Sequence, residues 1–133
     1  MVTNFENITY ELTEEEIRLV PDMCEAFRKY TKENPIKGAE ICTLINEKRL
    51  TKSKFCESRL RKIVNHIRVN QMIPLIADAK GYYVDYDVSR IKSQAKSLRD
   101  RAHAILRVSE AMEGIADKMS NGTTGELNFD QQQ

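Results

Sequence analysis

Residues 35–83 read PIKGAEICTLINEKRLTKSKFCESRLRKIVNHIRVNQMIPLIADAKGYY, and this stretch decides the fold. Apolar residues recur at helical spacing over about 38–48, and again from residue 54 or 57 to residue 69. The inner stripe of the second helix holds four apolar residues, Leu60, Ile63, Val64 and Ile67. Asp78 and Gly81 then bracket a turn between two short apolar runs, which predicts a β-hairpin. The stretch therefore predicts two helices and a hairpin, in that order.

The chain before this stretch predicts one more helix. Thr13 followed by Glu16 is a capping-box pattern, so the first helix is expected to begin near residue 14. Pro21 falls inside it and predicts either a kink or a break with a restart. A brief strand is expected at residues 36–38, and Ser53 is expected to cap the second helix of the 35–83 stretch.

The formal net charge of +1 hides a strong asymmetry along the chain. Residues 1–35 hold four bases and eight acids, a net charge of −4. Residues 36–72 hold nine bases and three acids, a net charge of +6, and residues 73–133 hold eight bases and nine acids. A basic segment of this kind is typical of a surface that binds nucleic acid, and it also occurs on solvated helix faces.

Helical spacing assigns the residues of the basic helix to its two sides. Opposite the apolar stripe lie Ser58, Lys62 and Asn65, which are expected to face base edges in a DNA groove. Four further cations are expected to contact phosphates: Lys52, Lys54, Arg61 and Lys80. Lys80 lies at the tip of the hairpin. Tyr82 and Tyr83 follow it on opposite faces of a strand, and which of them is buried stays open.

The last predicted helix, residues 87–119, is long for so small a protein. Its apolar positions alternate steps of four and three and form a heptad seam that includes Leu98, Ala102, Ile105, Met112 and Ala116. The first half of the helix is basic, and the second half contains Glu110, Glu113 and Asp117. Antiparallel pairing with a second copy would match these halves, and so would packing on the acidic first helix. A mixture is expected, in which the first part of the helix packs on its own domain and the later part supports a homodimer, and purely intramolecular packing is the alternative.

Other functional classes find little support in the sequence. Five scattered glycines form no phosphate-binding loop, and His66 and His103 stand far apart without a metal or nucleophile pattern, so neither an enzyme, a cofactor, a metal site nor a small-molecule substrate is expected. Three widely spaced cysteines indicate reduced core residues of a cytoplasmic protein. No apolar run reaches the roughly 20 residues of a membrane helix, and the N-terminus lacks a signal-peptide pattern.

Several motifs together resemble a group of small winged helix-turn-helix proteins from phages and integrated mobile elements. The similarity covers roughly residues 12–119 and rests on four segments: RKIVNHIR at 61–68, PLI at 74–76, KGYY at 80–83 and SLRDR at 97–101. The resemblance implies binding to double-stranded DNA in transcription or replication control of a mobile element.

The expected architecture is mainly α with a small β-hairpin: a winged helix-turn-helix with a long C-terminal helix. Residues 1–11 are expected to form an irregular lead-in, 12–86 the winged-helix domain, 87–119 the long helix and 120–133 a disordered tail. The expected function is non-enzymatic DNA binding. The alternative is a winged-helix adaptor that makes protein–protein contacts through the long helix.

Overall fold

The computed structural model describes residues 11–122, so the expectations for 1–10 and 123–133 lie outside the described residues. The chain is mainly helical with a small antiparallel sheet. Its elements are α1 (Glu14–Phe27), α2 (Gly38–Glu47), α3 (Glu57–Val69), β1 (Leu75–Asp78), β2 (Gly81–Val84) and α4 (Val88–Ser120). It divides into two compact units, Met1–Lys92 and Ser93–Gln133.

Helix α1 begins with the expected capping box. The Thr13 hydroxyl accepts from the amide of Glu16 at 3.2 Å, and the Glu16 carboxylate accepts from the amide of Thr13 at 2.9 Å. The helix continues unbroken through Pro21, so the alternative of a break and restart is wrong. Its inner face carries Leu19, Val20, Met23, Cys24 and Phe27.

Helices α2 and α3 contribute apolar side chains to the core of the first unit. Phe55, Leu60, Ile63 and Ile67 are almost fully buried, which confirms three members of the expected α3 stripe. The fourth member, Val64, is buried as well. Cys56, rather than Ser53, precedes the first turn of α3, and its side chain makes no capping bond, so the expected Ser53 cap is wrong.

The hairpin is held to the rest of the first unit by a third backbone segment. β1 and β2 pair antiparallel, with Leu75 opposite Val84. Ile36 forms an isolated bridge to Tyr82, with backbone hydrogen bonds of 2.9 and 2.8 Å. The brief strand expected at 36–38 is therefore reduced to one residue pair. Tyr83 is the buried tyrosine, whereas Tyr82 is half-buried.

Helix α4 contains 33 residues, and none of them is buried among the described residues. Its first turn is capped by Asp87, whose carboxylate accepts from the amide of Ser89 at 2.9 Å. Arg90 then pairs with Asp85 and Asp87. Within residues 11–122, none of the helices combines the length and the apolar composition that a membrane span requires.

Candidate nucleic-acid interface

Helix α3 buries one side and leaves another side open. The buried side is the stripe of Leu60, Ile63, Val64 and Ile67. On the other side, Arg61 and Val69 are exposed, and Ser58 and Asn65 are partly exposed. Because these four residues lie at helical spacing, they form one surface, which we call the free face of α3. Ser58 and Asn65 thus lie where the sequence placed them.

Lys62 requires a correction, because its side chain is not free. Its ammonium nitrogen lies 3.0 Å from the Glu16 carboxylate and 3.1 Å from the carbonyl oxygen of Glu11. The side chain is only 15% exposed. The Lys62 Cα lies on the outer half of α3, but α1 passes near enough for the long side chain to reach it. A base contact by Lys62 would first require this ion pair to open.

Arg59 joins Lys62 at the same carboxylate. Glu16 is fully buried, and its second oxygen accepts from Arg59 Nε at 2.5 Å. The Arg59 guanidinium also lies 3.3 Å from Glu15 and 5.4 Å from the ring centroid of Phe55. Residues 15, 16, 59 and 62 form a network that we call the α1–α3 ion cluster. It fixes α3 against α1 and removes two cations from the surface available to a partner.

The ion cluster perturbs the acidity of its central carboxyl group. Burial by itself raises the pKa of Glu16, but hydrogen bonds from Arg59, Thr13 and Lys62 outweigh it and hold that pKa below the ordinary value of 4.5. Glu15, which accepts from the Lys52 amide and from Arg59, also has a lowered pKa. Both carboxylates are therefore ionised at neutral pH.

We expect the stability of the first unit to fall in acid because of Glu16. Its pKa is lower in the folded chain than in the unfolded chain, so its contribution is complete above the unfolded value of 4.5 and is lost as the pH falls through the folded value. Urea unfolding followed over an acidic pH series measures this dependence. A Glu16→Gln variant is expected to have a flatter profile, and an unchanged profile would contradict the assignment.

The loop between α2 and α3 is held at two points. The Asn46 side chain donates to the carbonyl of Phe55 at 3.0 Å and accepts from its amide at 2.8 Å. The Lys52 amide donates to Glu15 at 2.6 Å. These bonds fix the backbone while the side chains of Lys52 and Lys54 remain exposed. Two of the expected phosphate-contacting cations are thus presented on an anchored loop just before α3.

The hairpin packs beside α3 with its tip exposed. The Arg68 side chain donates to the carbonyl of Leu75 at 3.0 Å, and the Tyr82 ring lies 5.8 Å from that of Phe27. Burial raises the pKa of Tyr82, and the nearby charges of Arg68 and Arg61 oppose that rise. In the turn, Asp78 accepts from the Lys80 amide at 2.8 Å, and the Lys80 side chain is exposed.

Sequence reasoning missed Lys37, which lies beside the hairpin tip. A Cβ added to Gly81 would lie 2.4 Å from the carbonyl oxygen of Ile36 and 3.1 Å from the Lys37 nitrogen, so the two segments touch. Lys37 is exposed and directly precedes α2. The sequence gives no sign that Lys37 and Lys80 lie near each other. Only the pairing of Ile36 with Tyr82 brings the segment of Lys37 to the hairpin.

Several exposed cations of the first unit form no salt bridge within residues 11–122, and five of them lie near α3 or the hairpin tip: Lys37, Lys52, Lys54, Arg61 and Lys80. Three of them lie on α3 or the loop before it, and two lie at or beside the hairpin tip. The positive charge expected from the sequence is therefore partly neutralised by α1, and part of the remainder is carried by residues around the free face of α3.

Two further features of the described residues concern metal-ligating side chains and the environments of the three cysteines. No group of three or more metal-ligating side chains is present within 11–122. Burial raises the pKa values of the Cys24 and Cys42 thiols. Cys56 is exposed, so the expectation of three core cysteines is wrong for this residue; a hydrogen bond with Ser58 lowers its pKa.

Comparisons with models of protein families, with curated proteins and with solved structures found no match to this chain. The expected likeness to winged helix-turn-helix proteins of phages and mobile elements therefore stays a prediction from the motifs.

Proposed function

We propose that the first unit is a winged helix-turn-helix domain that binds double-stranded DNA. The observation that carries this proposal is the free face of α3, which includes Arg61, together with the exposed cations that form no salt bridge within residues 11–122 on the loop before α3 and beside the hairpin tip. An α-helix fits the DNA major groove, and the surrounding lysines can contact the two phosphate backbones.

The order of the elements supports the same proposal. A helix, a single bridging residue, two helices and a hairpin follow one another, and Ile36 pairs with the hairpin strand β2. In winged helix-turn-helix proteins, this order places the helix after the turn, here α3, next to the hairpin on one DNA-binding surface. The anchored loop between α2 and α3 supplies the turn of the helix-turn-helix.

The proposed roles differ from the sequence expectation at three residues: Lys62 is left out, Arg61 moves from a phosphate to a base edge, and Lys37 is added to the phosphate contacts. Ser58, Arg61 and Asn65 are assigned to base edges, since Arg is suited to guanine and Asn to adenine. Arg61 replaces Lys62, whose ammonium is held by Glu16. The flanking lysines are assigned to phosphates: Lys37, Lys52, Lys54 and Lys80. Phosphate contacts set the position of the domain on the duplex, and base contacts give the sequence preference.

We place this activity in transcription or replication control of a phage or mobile element, following the motifs at 61–68, 74–76, 80–83 and 97–101. The proposed activity is binding alone, without a catalysed reaction or a cofactor. The protein would act by occupying its site.

Selection of bound duplexes from a random pool tests this function. The full chain is expected to enrich a short duplex motif, and Asn65→Ala is expected to relax the preference at one position of that motif. Recovery of a pool with no common motif, together with no measurable affinity for any duplex at low salt, would reject the proposal.

The second candidate function is an adaptor that makes protein contacts through α4. The exposure of its apolar residues favours this candidate. Under this reading the chain binds no duplex but co-purifies with one defined replication or recombination protein, and that contact is lost when the exposed Met112 is changed to Glu. DNA binding by the purified chain alone would favour the first candidate.

A further inference from the structure

Helix α4 carries an apolar face that is not buried anywhere in the described chain. Ile105, Met112 and Met119 are 64%, 66% and 61% exposed, and Leu98 is 37% exposed. An isolated helix of this kind is only marginally stable in water, because most helical stability in proteins comes from packing of one face against another element. We therefore expect this face to pack against another helix.

The distribution of residue sizes along the heptad seam indicates the orientation of that partner. One row of the seam is uniformly small: Ala95, Ala102, Ser109 and Ala116. The other row is uniformly large: Ile91, Leu98, Ile105, Met112 and Met119. In a parallel pair of helices each row meets its own copy, which gives alternating layers of small and of large side chains. In an antiparallel pair each small residue meets a large one, and the layers fill evenly.

The self-complementary register has its centre at Arg107. In this register Ala102 packs against Met112 of the second copy, and Ile105 packs against Ser109 of the second copy. The outer layers follow the same rule, with Leu98 opposite Ala116 and Ala95 opposite Met119. Every seam residue from 95 to 119 then has a partner of complementary size within the length of α4.

The charges that border the seam fit the same register. Arg99 and Glu113 each occupy the position that directly follows a large seam residue, and such positions face each other across an antiparallel pair. Arg99 therefore lies opposite Glu113 of the second copy, and the symmetry gives this ion pair twice. In a parallel pair, Arg99 would instead face Gln94 and Glu113 would face Val108, neither of which carries a charge.

We propose that the chain forms a homodimer in which two copies of α4 pair antiparallel. Position 107 marks the midpoint of the paired segment in both copies. The occupant of the exposed face is a second copy of this chain. Two features favour a second copy in antiparallel orientation: the side chains are complementary in size in every layer, and Arg99 and Glu113 form two ion pairs. The interface uses residues 95–119 and is independent of the proposed DNA-binding surface.

Analytical ultracentrifugation of the full chain across a dilution series tests the interface. The wild-type chain is expected to dissociate from dimer to monomer on dilution. Arg99→Glu is expected to raise the dissociation constant about tenfold, because it replaces two attractive pairs by two repulsive ones. Arg107→Glu has the same change in charge but lies on the outer surface of the pair, so it serves as the matched control with little effect.

The double reversal Arg99→Glu with Glu113→Arg decides the orientation. It is expected to restore the wild-type dissociation constant, because residues 99 and 113 are too far apart to pair within one helix. Far-ultraviolet circular dichroism checks that each variant keeps its helix. A monomeric wild-type chain at the highest concentration would overturn the proposal, and so would a double variant that remains as weak as Arg99→Glu.

Discussion

Replacing Glu16 by alanine is expected to lower the free energy of unfolding by about 3–5 kcal/mol, the range found when one partner of a buried ion pair is removed. The change leaves the side chains of Arg59 and Lys62, which are only 14% and 15% exposed, without their shared carboxylate. It also removes the hydrogen bond that the Glu16 carboxylate accepts from the Thr13 amide. Because alanine is the better helix former, helix propensity opposes this loss and cannot explain it.

Glu14→Ala is the matched control for that experiment. Glu14 lies in the same first turn of α1 and is exposed. Its removal is expected to cost less than about 1 kcal/mol, which is the contribution of an acidic residue near a helix N-terminus. Urea unfolding followed by circular dichroism measures both variants. Equal stabilities of the two variants would show that the α1–α3 ion cluster contributes little to the fold.

The second large effect is expected from Gly81→Ala, at roughly 3 kcal/mol of lost stability. Gly81 has φ of 137°, a backbone conformation that residues with a Cβ rarely adopt. The added Cβ would also lie 2.4 Å from the Ile36 carbonyl oxygen, which is a backbone atom and cannot rotate away. We expect the bridge between Ile36 and Tyr82 to open and the hairpin to separate from the segment before α2.

Gly114→Ala provides the comparison, because a Cβ there meets nothing within 4 Å. In the interior of α4 this change is expected to increase helix stability by about 1 kcal/mol. Thermal and urea unfolding of both variants separate the two cases. A Gly81→Ala protein as stable as the wild type would contradict the close approach of the hairpin and the Ile36 segment.

The features that follow from neighbouring residues could be predicted from the sequence. The capping box of Thr13 and Glu16 is a local signal, and the structure contains both of its hydrogen bonds. The four-residue stripe of α3 and the hairpin turn also depend only on spacing and turn preference. For these elements the pattern of polar and apolar residues is itself the physical cause of the structure.

Contacts between distant residues could not be predicted in the same way. The sequence identifies Glu16 only as a capping-box residue, yet its side chain is fully buried, because Arg59 and Lys62 reach it from 43 and 46 positions further along the chain. Helical spacing locates the Cα of Lys62 but does not say which neighbouring helix its side chain reaches. The error in the predicted interface comes from this one crossing of α1 and α3.

The proposed interface gains a residue for the same reason. Lys37 is unremarkable in the sequence, and it joins the hairpin tip only through the bridge of Ile36 and Tyr82. Sequence reasoning therefore identified the basic segment, whereas the structure separates its cations into those held by α1 and those left exposed.

The salt dependence of DNA binding tests the central claim most directly. Fluorescence anisotropy with a labelled duplex gives the dissociation constant of the wild-type chain and of two variants over a range of salt concentrations. Lys52→Ala with Lys54→Ala removes two exposed lysines that are assigned to phosphates, both on the loop before α3. Lys29→Ala with Lys32→Ala removes the same charge from exposed residues near the base of the hairpin, where Tyr30 accepts from Val84.

If each of the four lysines assigned to phosphates contacts one, the logarithm of the association constant falls with the logarithm of salt concentration at a slope of roughly −3.6. The Lys52 and Lys54 variant is expected to bind more weakly and to reduce the magnitude of that slope by about two units, while the Lys29 and Lys32 variant keeps the wild-type slope. Binding that does not respond to salt, or an equal slope in all three proteins, would contradict the account.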